Sequence, residues 1–197
     1  DHTPLVIVIS APSGAGKTTI CRRLEERRPG FHFSVSYTTR PRRSGERDAV
    51  DYYFVDAPTF ESKIRRSEFA EWAMVHGNCY GTDRRQVEDA LREGRDSLLD
   101  IDVQGGMKIR GIWESVVYIF IVPPSIEELR RRLVARQTED MEKMDLRLRN
   151  AAREIKYGFE YYDYIVVNDD VEAAVTRVFS IIDAERSRTP RRKSLLH

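Results

Sequence analysis

The sequence predicts an α/β fold in three layers, a parallel sheet covered by helices on both faces, carrying an inserted α+β lobe and a helical lid. Three observations lead there. Short apolar runs rich in β-branched residues alternate with amphipathic helical patterns near both ends of the chain, the order that builds a parallel sheet. The first of these runs passes through a loop of small residues into a helix. The stretch from about Phe33 to Gly94 breaks the alternation, because its strand-like pieces are separated by Pro, Gly and charged loops.

Taken in order, Leu5–Ser10 is continuously apolar up to its last residue, as a strand buried on both faces requires. The loop Ala11–Gly16 follows, and a helix begins near Lys17, keeps Ile20 and Leu24 on one face, and stops at Pro29-Gly30. In the inserted lobe, Phe33–Tyr37, Tyr52–Val55 and Phe69–Val75 read as strands, and Asp83–Glu93 reads as a helix capped by Asp83 and Gln86. Beyond it, Ser97–Ile101, Val116–Val122 and Tyr164–Val167 are expected strands; Ser125–Arg136, Asp145–Tyr157 and Val171–Glu185 are expected helices. Ser125 and Glu128 have capping-box spacing. Gln137–Met144 is polar and suits a mobile lid, and the cations of Arg186–Lys193 read as a frayed, solvated end.

The 197 residues allow one sizeable core and a smaller lobe, and 41% hydrophobic with 33% charged residues fits a globular chain rather than a disordered one. Net charge is +1, so no overall field points to nucleic acid. The longest apolar runs, Leu5–Ile9 and Val116–Val122, are too short to cross a bilayer, and no charged-then-apolar leader opens the sequence. Cys21 and Cys79 form no CxxC pattern, and the four histidines are scattered. These features predict a cytoplasmic protein with free thiols and no structural zinc.

The strongest chemical signal is Ser10-Ala11-Pro12-Ser13-Gly14-Ala15-Gly16-Lys17-Thr18-Thr19. Small residues let successive backbone N–H groups converge on a polyphosphate. The helix start adds its dipole, Lys17 adds a full charge, and the Thr18 hydroxyl can ligate Mg²⁺. Ala11 stands where the usual pattern has its first glycine, a departure that would cost energy if φ there were positive. A strand before the loop and a helix after it are the context the motif requires, so a three-layer P-loop NTPase core is expected. Asp100 and Asp102 end an apolar strand two residues apart, placed to hold Mg²⁺ through water or to bind substrate.

Beyond the loop, the sequence resembles the guanylate kinase family over nearly its whole length. The resemblance rests on Ser10–Thr19, Phe33-Ser34-Val35-Ser36-Tyr37-Thr38-Thr39-Arg40-Pro41-Arg42-Arg43, Gly45-Glu46, Asp51-Tyr52, Glu68-Phe69-Ala70-Glu71-Trp72, Gly77–Thr82, Asp100–Gly105 and Pro123-Pro124-Ser125. It implies a core (1–32, 95–130 and 158–186), a GMP-binding lobe (33–94) and a lid (131–157), followed by the basic tail 187–197. It also implies transfer of the γ-phosphoryl group of ATP to GMP with Mg²⁺, and no nucleic-acid or membrane partner.

The same resemblance assigns residues. Arg40, Arg43, Tyr52 and Tyr80 fall on the GMP phosphate; Glu71, Ser36 and Thr82 fall on guanine, with Asp102 toward its amino group. Ala11, Pro12, Ser13, Gly14, Ala15, Gly16, Lys17, Thr18 and Thr19 fall on the ATP phosphates, Asn168 and Asp169 near adenine, and Thr18 and Asp100 on Mg²⁺. Arg132, Arg136 and Arg147 join Lys17 and Arg40 on the transferring group, while Arg130, Arg131, Arg149 and Arg153 are expected in solvent. Taken alone, these residues have plainer readings: the loop arginines as surface, Tyr52 and Tyr80 as packing, Glu71 as a solvent-facing strand residue, Thr82 as a neighbour of a helix cap, and Asn168-Asp169 as a capping turn. Planar guanidinium forks suit a dianionic phosphate, and a carboxylate meets guanine's paired donors while repelling adenine's N1 lone pair. Gln137 stands where the family usually has Gly in the lid.

Two rival readings remain at this point. Asp102–Gly105 also spells DxxG, as in GTPases, but Asn168-Asp169-Asp170-Val171 does not spell their NKxD. Scaffold relatives that bind peptides generally lack a working phosphate loop, whereas Lys17 and Thr18 are present here.

Overall fold

The computed structural model describes residues 3–75, 77–136 and 141–191, with the side chains of 135, 136, 141–143 and 190 outside that description. Five strands form a wholly parallel sheet: β1 (Val6–Ser10), β2 (His32–Ser34), β7 (Ser97–Asp100), β8 (Val116–Val122) and β9 (Tyr164–Val167), in the order β2-β7-β1-β8-β9. Every residue of β1 is buried, because alternate side chains enter two different cores. Ile7 and Ile9 face α1 (Lys17–Arg27) and α7 (Val171–Ser187), packing with Ile20, Leu24, Val175 and Val178. Val6 and Val8 face the other way, toward Val87 of α3 (Arg84–Arg92) and Ile109 of α4 (Val103–Ile109). Helix, sheet, helix: the three layers are as expected.

A second sheet, order β4-β3-β6-β5, is built from β3 (Tyr37–Thr38), β4 (Tyr53–Phe54), β5 (Phe69–Val75) and β6 (Asn78–Asp83). Its strands β5 and β6 are an antiparallel hairpin with a register shift between Phe69 and Glu71. The expected single strand Phe33–Tyr37 is therefore two: His32–Ser34 pairs with β7 of the main sheet, and Tyr37–Thr38 starts the second one. Helix α3 packs Val87 against Val6, Val8 and Leu99 of the main sheet, although its sequence lies within the inserted stretch.

Four elements were not expected. Helix α2 (Ala57–Arg65) opens on Asp56, whose carboxylate accepts from Thr59 N–H at 2.9 Å, with Pro at its first turn. Helix α4 opens on Asp102, which accepts from Gly105 N–H at 2.8 Å. Both were legible in principle as Asp caps. The others are strand β6 and a 3₁₀ turn at Thr189–Arg191. Asp83 caps α3 as expected, but Gln86 does not reach back; its Nε2 donates to Val35 O at 3.3 Å. Ser125 caps α5 (Ile126–Arg136), while Glu128 turns to Arg131 and Arg132 instead of closing the box. Helix α6 (Met141–Tyr161) starts earlier than expected; of the proposed mobile stretch Gln137–Met144, residues 137–140 lie outside the described residues.

The basic end is not solvated throughout. Arg186 binds the fully buried carboxylate of Asp96 at 2.6 Å, and Arg191 pairs with Glu185, which is 4% exposed. Two buried carboxylates need counter-charges, and they draw these arginines in. Arg192 and Lys193 lie outside the described residues.

Candidate active site

The phosphate loop leaves the carboxyl end of β1, at the centre of the sheet. Gly14 and Gly16 have φ of +88° and +93°, the left-handed region where L side chains are strained, and Gly16 is the N-cap of α1. Ala11 does not have positive φ, so the missing first glycine brings no strain. Pro12 and Ala15 are buried, while Ser13, Thr18 and Thr19 are exposed. A Cβ on Gly14 would lie 2.9 Å from Leu133 Cδ2, so α5 packs directly on the loop.

Lys17 Nζ forms an ion pair with Asp100 and donates to Ile101 O at 2.8 Å. Burial opposes its charge, but the adjacent Asp100 carboxylate overrides this and raises the ammonium's pKa above the ordinary lysine value. Asp102 sits beyond the strand as the cap of α4. The two aspartates, expected at the strand end as Mg²⁺ or substrate ligands, thus each have a partner within the protein: Lys17 for Asp100 and the Gly105 N–H for Asp102. Thr18 and Asp100 line one cleft. Their hydroxyl and carboxylate oxygens suit a hard cation such as Mg²⁺. Among the described residues, no group of three or more His, Cys, Asp or Glu could enclose a metal alone.

Across from the loop, Ser36, Tyr52, Glu71, Tyr80 and Asp102 line a cavity together with Lys17 and Asp100. Glu71 is 6% exposed, and its Oε1 accepts from the Thr82 hydroxyl at 2.7 Å. Burial pushes its carboxyl up to about 7; the Thr82 bond opposes the rise and nearby Asp102 adds to it. Thr82 is fully buried behind Glu71 and orients it.

Arg40 and Arg43 line the adjoining cleft with Thr18, Tyr52 and Tyr80. Arg40 is gripped by Glu46 through two bonds of 2.7 and 3.0 Å and lies over the Tyr52 ring at 5.4 Å, with Tyr80 lining the same cleft. Glu46 also accepts from the Arg43 amide at 2.8 Å. Gly45-Glu46 belongs to the motif set of the sequence, but no role for Glu46 follows from it; the signal is an acid just after the cations Arg40, Arg42 and Arg43. Gly105 was also passed over as a site residue, although a Cβ there would lie 2.8 Å from Glu71 Oε2.

On the lid side, Arg132 bonds Glu128 at 2.8 Å and the Asn168 carbonyl at 3.1 Å, beside the phosphate loop. Arg136 shares its helix, but its side chain lies outside the described residues. Arg147 is half-buried on α6. Arg130, Arg131, Arg149 and Arg153 are exposed, as expected. Asn168 is buried, with its amide on Ala15 O at 2.7 Å. Asp169 pairs with Arg177 at 2.7 Å, and that bond pulls its carboxyl down to about 2.

A glycine-bent phosphate loop at the head of a parallel sheet, facing a second polar pocket built on an inserted sheet, defines a P-loop protein of nucleotide-kinase architecture. Comparison with known proteins narrows the class. The family model described as guanylate kinase matches residues 3–185. The chain is 49% identical over 190 residues to the guanylate kinase of Syntrophotalea carbinolica, covering 96% of this chain and 90% of that protein. It is 47% identical over 192 residues to that of Symbiobacterium thermophilum, covering 98% and 90%. A crystal structure of guanylate kinase from Anaplasma phagocytophilum aligns with TM-score 0.82 at 39% identity, covering 99% of this chain and 93% of that one. The chain belongs to the guanylate kinase family.

Proposed function

We propose that this protein transfers the γ-phosphoryl group of ATP to GMP, giving ADP and GDP. The observation that carries the reading is a single cavity lined by both Lys17 and Glu71: a phosphate-loop cation and a buried base-reading carboxylate open on the same space. Family membership supports the same activity.

In this reading the acceptor phosphate meets Arg40, Arg43 and the hydroxyls of Tyr52 and Tyr80, with Glu46 pre-setting Arg40. Glu71, held by Thr82, accepts from guanine's N1–H and amino group, with Ser36 and Asp102 beside it. The loop from Ala11 to Thr19, in which every residue but Pro12 carries a backbone N–H, and the Lys17 ammonium take the ATP phosphates. Mg²⁺, held by Thr18 and through water by Asp100, would supply further charge neutralisation. The acceptor is already an anion, so no general base is needed; positioning and charge neutralisation suffice for a loose phosphoryl transition state. Arg132, Arg136 and Arg147 would complete the charge as the lid 131–157 closes, and closure excludes water that would otherwise hydrolyse ATP. The moving acceptor lobe is the second sheet, with α3 staying on the core it packs against. No helix among the described residues is long and apolar enough to cross a membrane, and free Cys21 and Cys79 fit a reducing cytosol.

A coupled ADP-release assay with GMP, AMP, UMP and dTMP as acceptors tests the proposal. GMP should be used in preference to AMP by about 10⁴-fold in kcat/KM, because AMP leaves buried polar groups unmatched. Preference for AMP, or ADP release independent of any acceptor, would overturn it.

A further inference from the structure

We infer that Asn168 is a positioning residue for the phosphate loop, aiming the Gly16 amide at the donor's phosphates by holding the Ala15 carbonyl from behind. The inference rests on the reading that this loop takes the phosphates of ATP.

Asn168 follows directly on β9, and its own N–H continues the strand ladder by donating to Val122 O at 2.8 Å. Its backbone is thus fixed by the main sheet, and the residue is only 3% exposed. From there its side-chain amide reaches the loop and donates to Ala15 O at 2.7 Å. Arg132 reinforces the contact: its Nη1 approaches the same carbonyl at 3.5 Å, its Nη2 donates to Asn168 O at 3.1 Å, and Glu128 holds its Nε at 2.8 Å.

The peptide joining Ala15 to Gly16 is trans, like every described one, and a trans peptide points its C=O and N–H in opposite directions. Fixing the Ala15 oxygen behind the loop therefore fixes the Gly16 N–H in front. The restraint is needed because the peptide adjoins a glycine at φ +93°, a residue for which alternative backbone angles are cheap. Gly16 is itself shaped to this contact, since a Cβ there would collide with Asn168 Nδ2. A glycine free to turn and a buried amide pressed against it make one device, whose product is a preset anion-binding N–H.

This role differs from a contact to the adenine ring, and the two are separable by ligands without adenine. The wild-type chain, Asn168→Ala and the near-isosteric Asn168→Leu would be titrated calorimetrically, with Mg²⁺ present, against ADP, IDP, inorganic tripolyphosphate and, separately, GMP. Loss of the restraint should weaken all three donor-side ligands by the same factor, about tenfold, and leave the GMP dissociation constant within twofold. Weakening confined to ADP, parallel loss of GMP, or wild-type affinities in both variants would overturn the inference. A wild-type chain that bound none of the three donor-side ligands would overturn the reading of the loop beneath it, and the inference with it.

Discussion

Replacing Gly105 by Ala should separate acceptor use from stability. Gly105 is buried in α4 and has no positive φ, so Ala meets no backbone strain there. The new Cβ would lie 2.8 Å from Glu71 Oε2, 3.1 Å from Glu71 Cδ and 3.2 Å from Asp102 Oδ1. A carbon–oxygen contact relaxes at about 3.3 Å, so the carboxylate must retreat by roughly 0.5 Å. The obstructing atoms end a flexible side chain, and Ala gains about 1 kcal/mol of helix propensity over Gly. Folding stability in urea should therefore change by less than about 1 kcal/mol. Function is less tolerant, because a binding group must hold its place to within about 0.5 Å. Glu71 cannot retreat without loosening its 2.7 Å bond from Thr82. Loss of one charge-assisted bond to guanine is worth about 1.5–3 kcal/mol, or roughly 10- to 100-fold in kcat/KM for GMP. The assay is ADP release with GMP varied at saturating ATP, repeated with ATP varied. A value for GMP within twofold of wild type, or an equal rise in the KM for ATP, would refute the reasoning.

Three further outcomes are expected. Because the Glu71 carboxyl titrates near 7 in the folded protein against 4.5 ordinarily, the unfolded chain ionises first as pH rises between those values. Stability should fall across that window, by up to about 3 kcal/mol, while affinity for GMP rises as the carboxylate forms; Glu71→Gln should flatten the stability change, as urea titrations at several pH values would show. Lys17→Ala should leave the GMP dissociation constant nearly intact and lower turnover by about 10³-fold; unchanged turnover would remove Lys17 from the mechanism. Gly158→Ala places a Cβ against the ring of fully buried Phe120, only 2.5 Å from its Cγ. Overpacking there should destabilise the protein by about 1–3 kcal/mol in urea, and an unchanged midpoint would show that the ring moves freely.

The sequence by itself determined the parts whose information is local. A strand buried on both faces, a loop of small residues and a helix opening at Lys17 are consecutive, so their periodicity and punctuation suffice. The caps at Asp83 and Ser125 needed only their next three residues. The specific acceptor pocket was legible through family resemblance, since Arg40, Tyr52, Glu71 and Tyr80 taken singly read as surface or packing. Tertiary structure alone decided that Glu71 is buried, that Thr82 stands behind it, and that Lys17 lines the same cavity from the start of α1. It also decided that Phe33–Tyr37 divides between two sheets, and that Arg186 and Arg191 are drawn onto buried carboxylates. The physical reason is range: helix and strand patterns are set by neighbours a few residues apart, whereas burial, charge pairing and pKa depend on which distant segments the packed layers bring together. Asn168 shows the difference most directly. Its place after a strand could be read from the chain, but its grip on the Ala15 carbonyl exists only once β9 lies beside the phosphate loop.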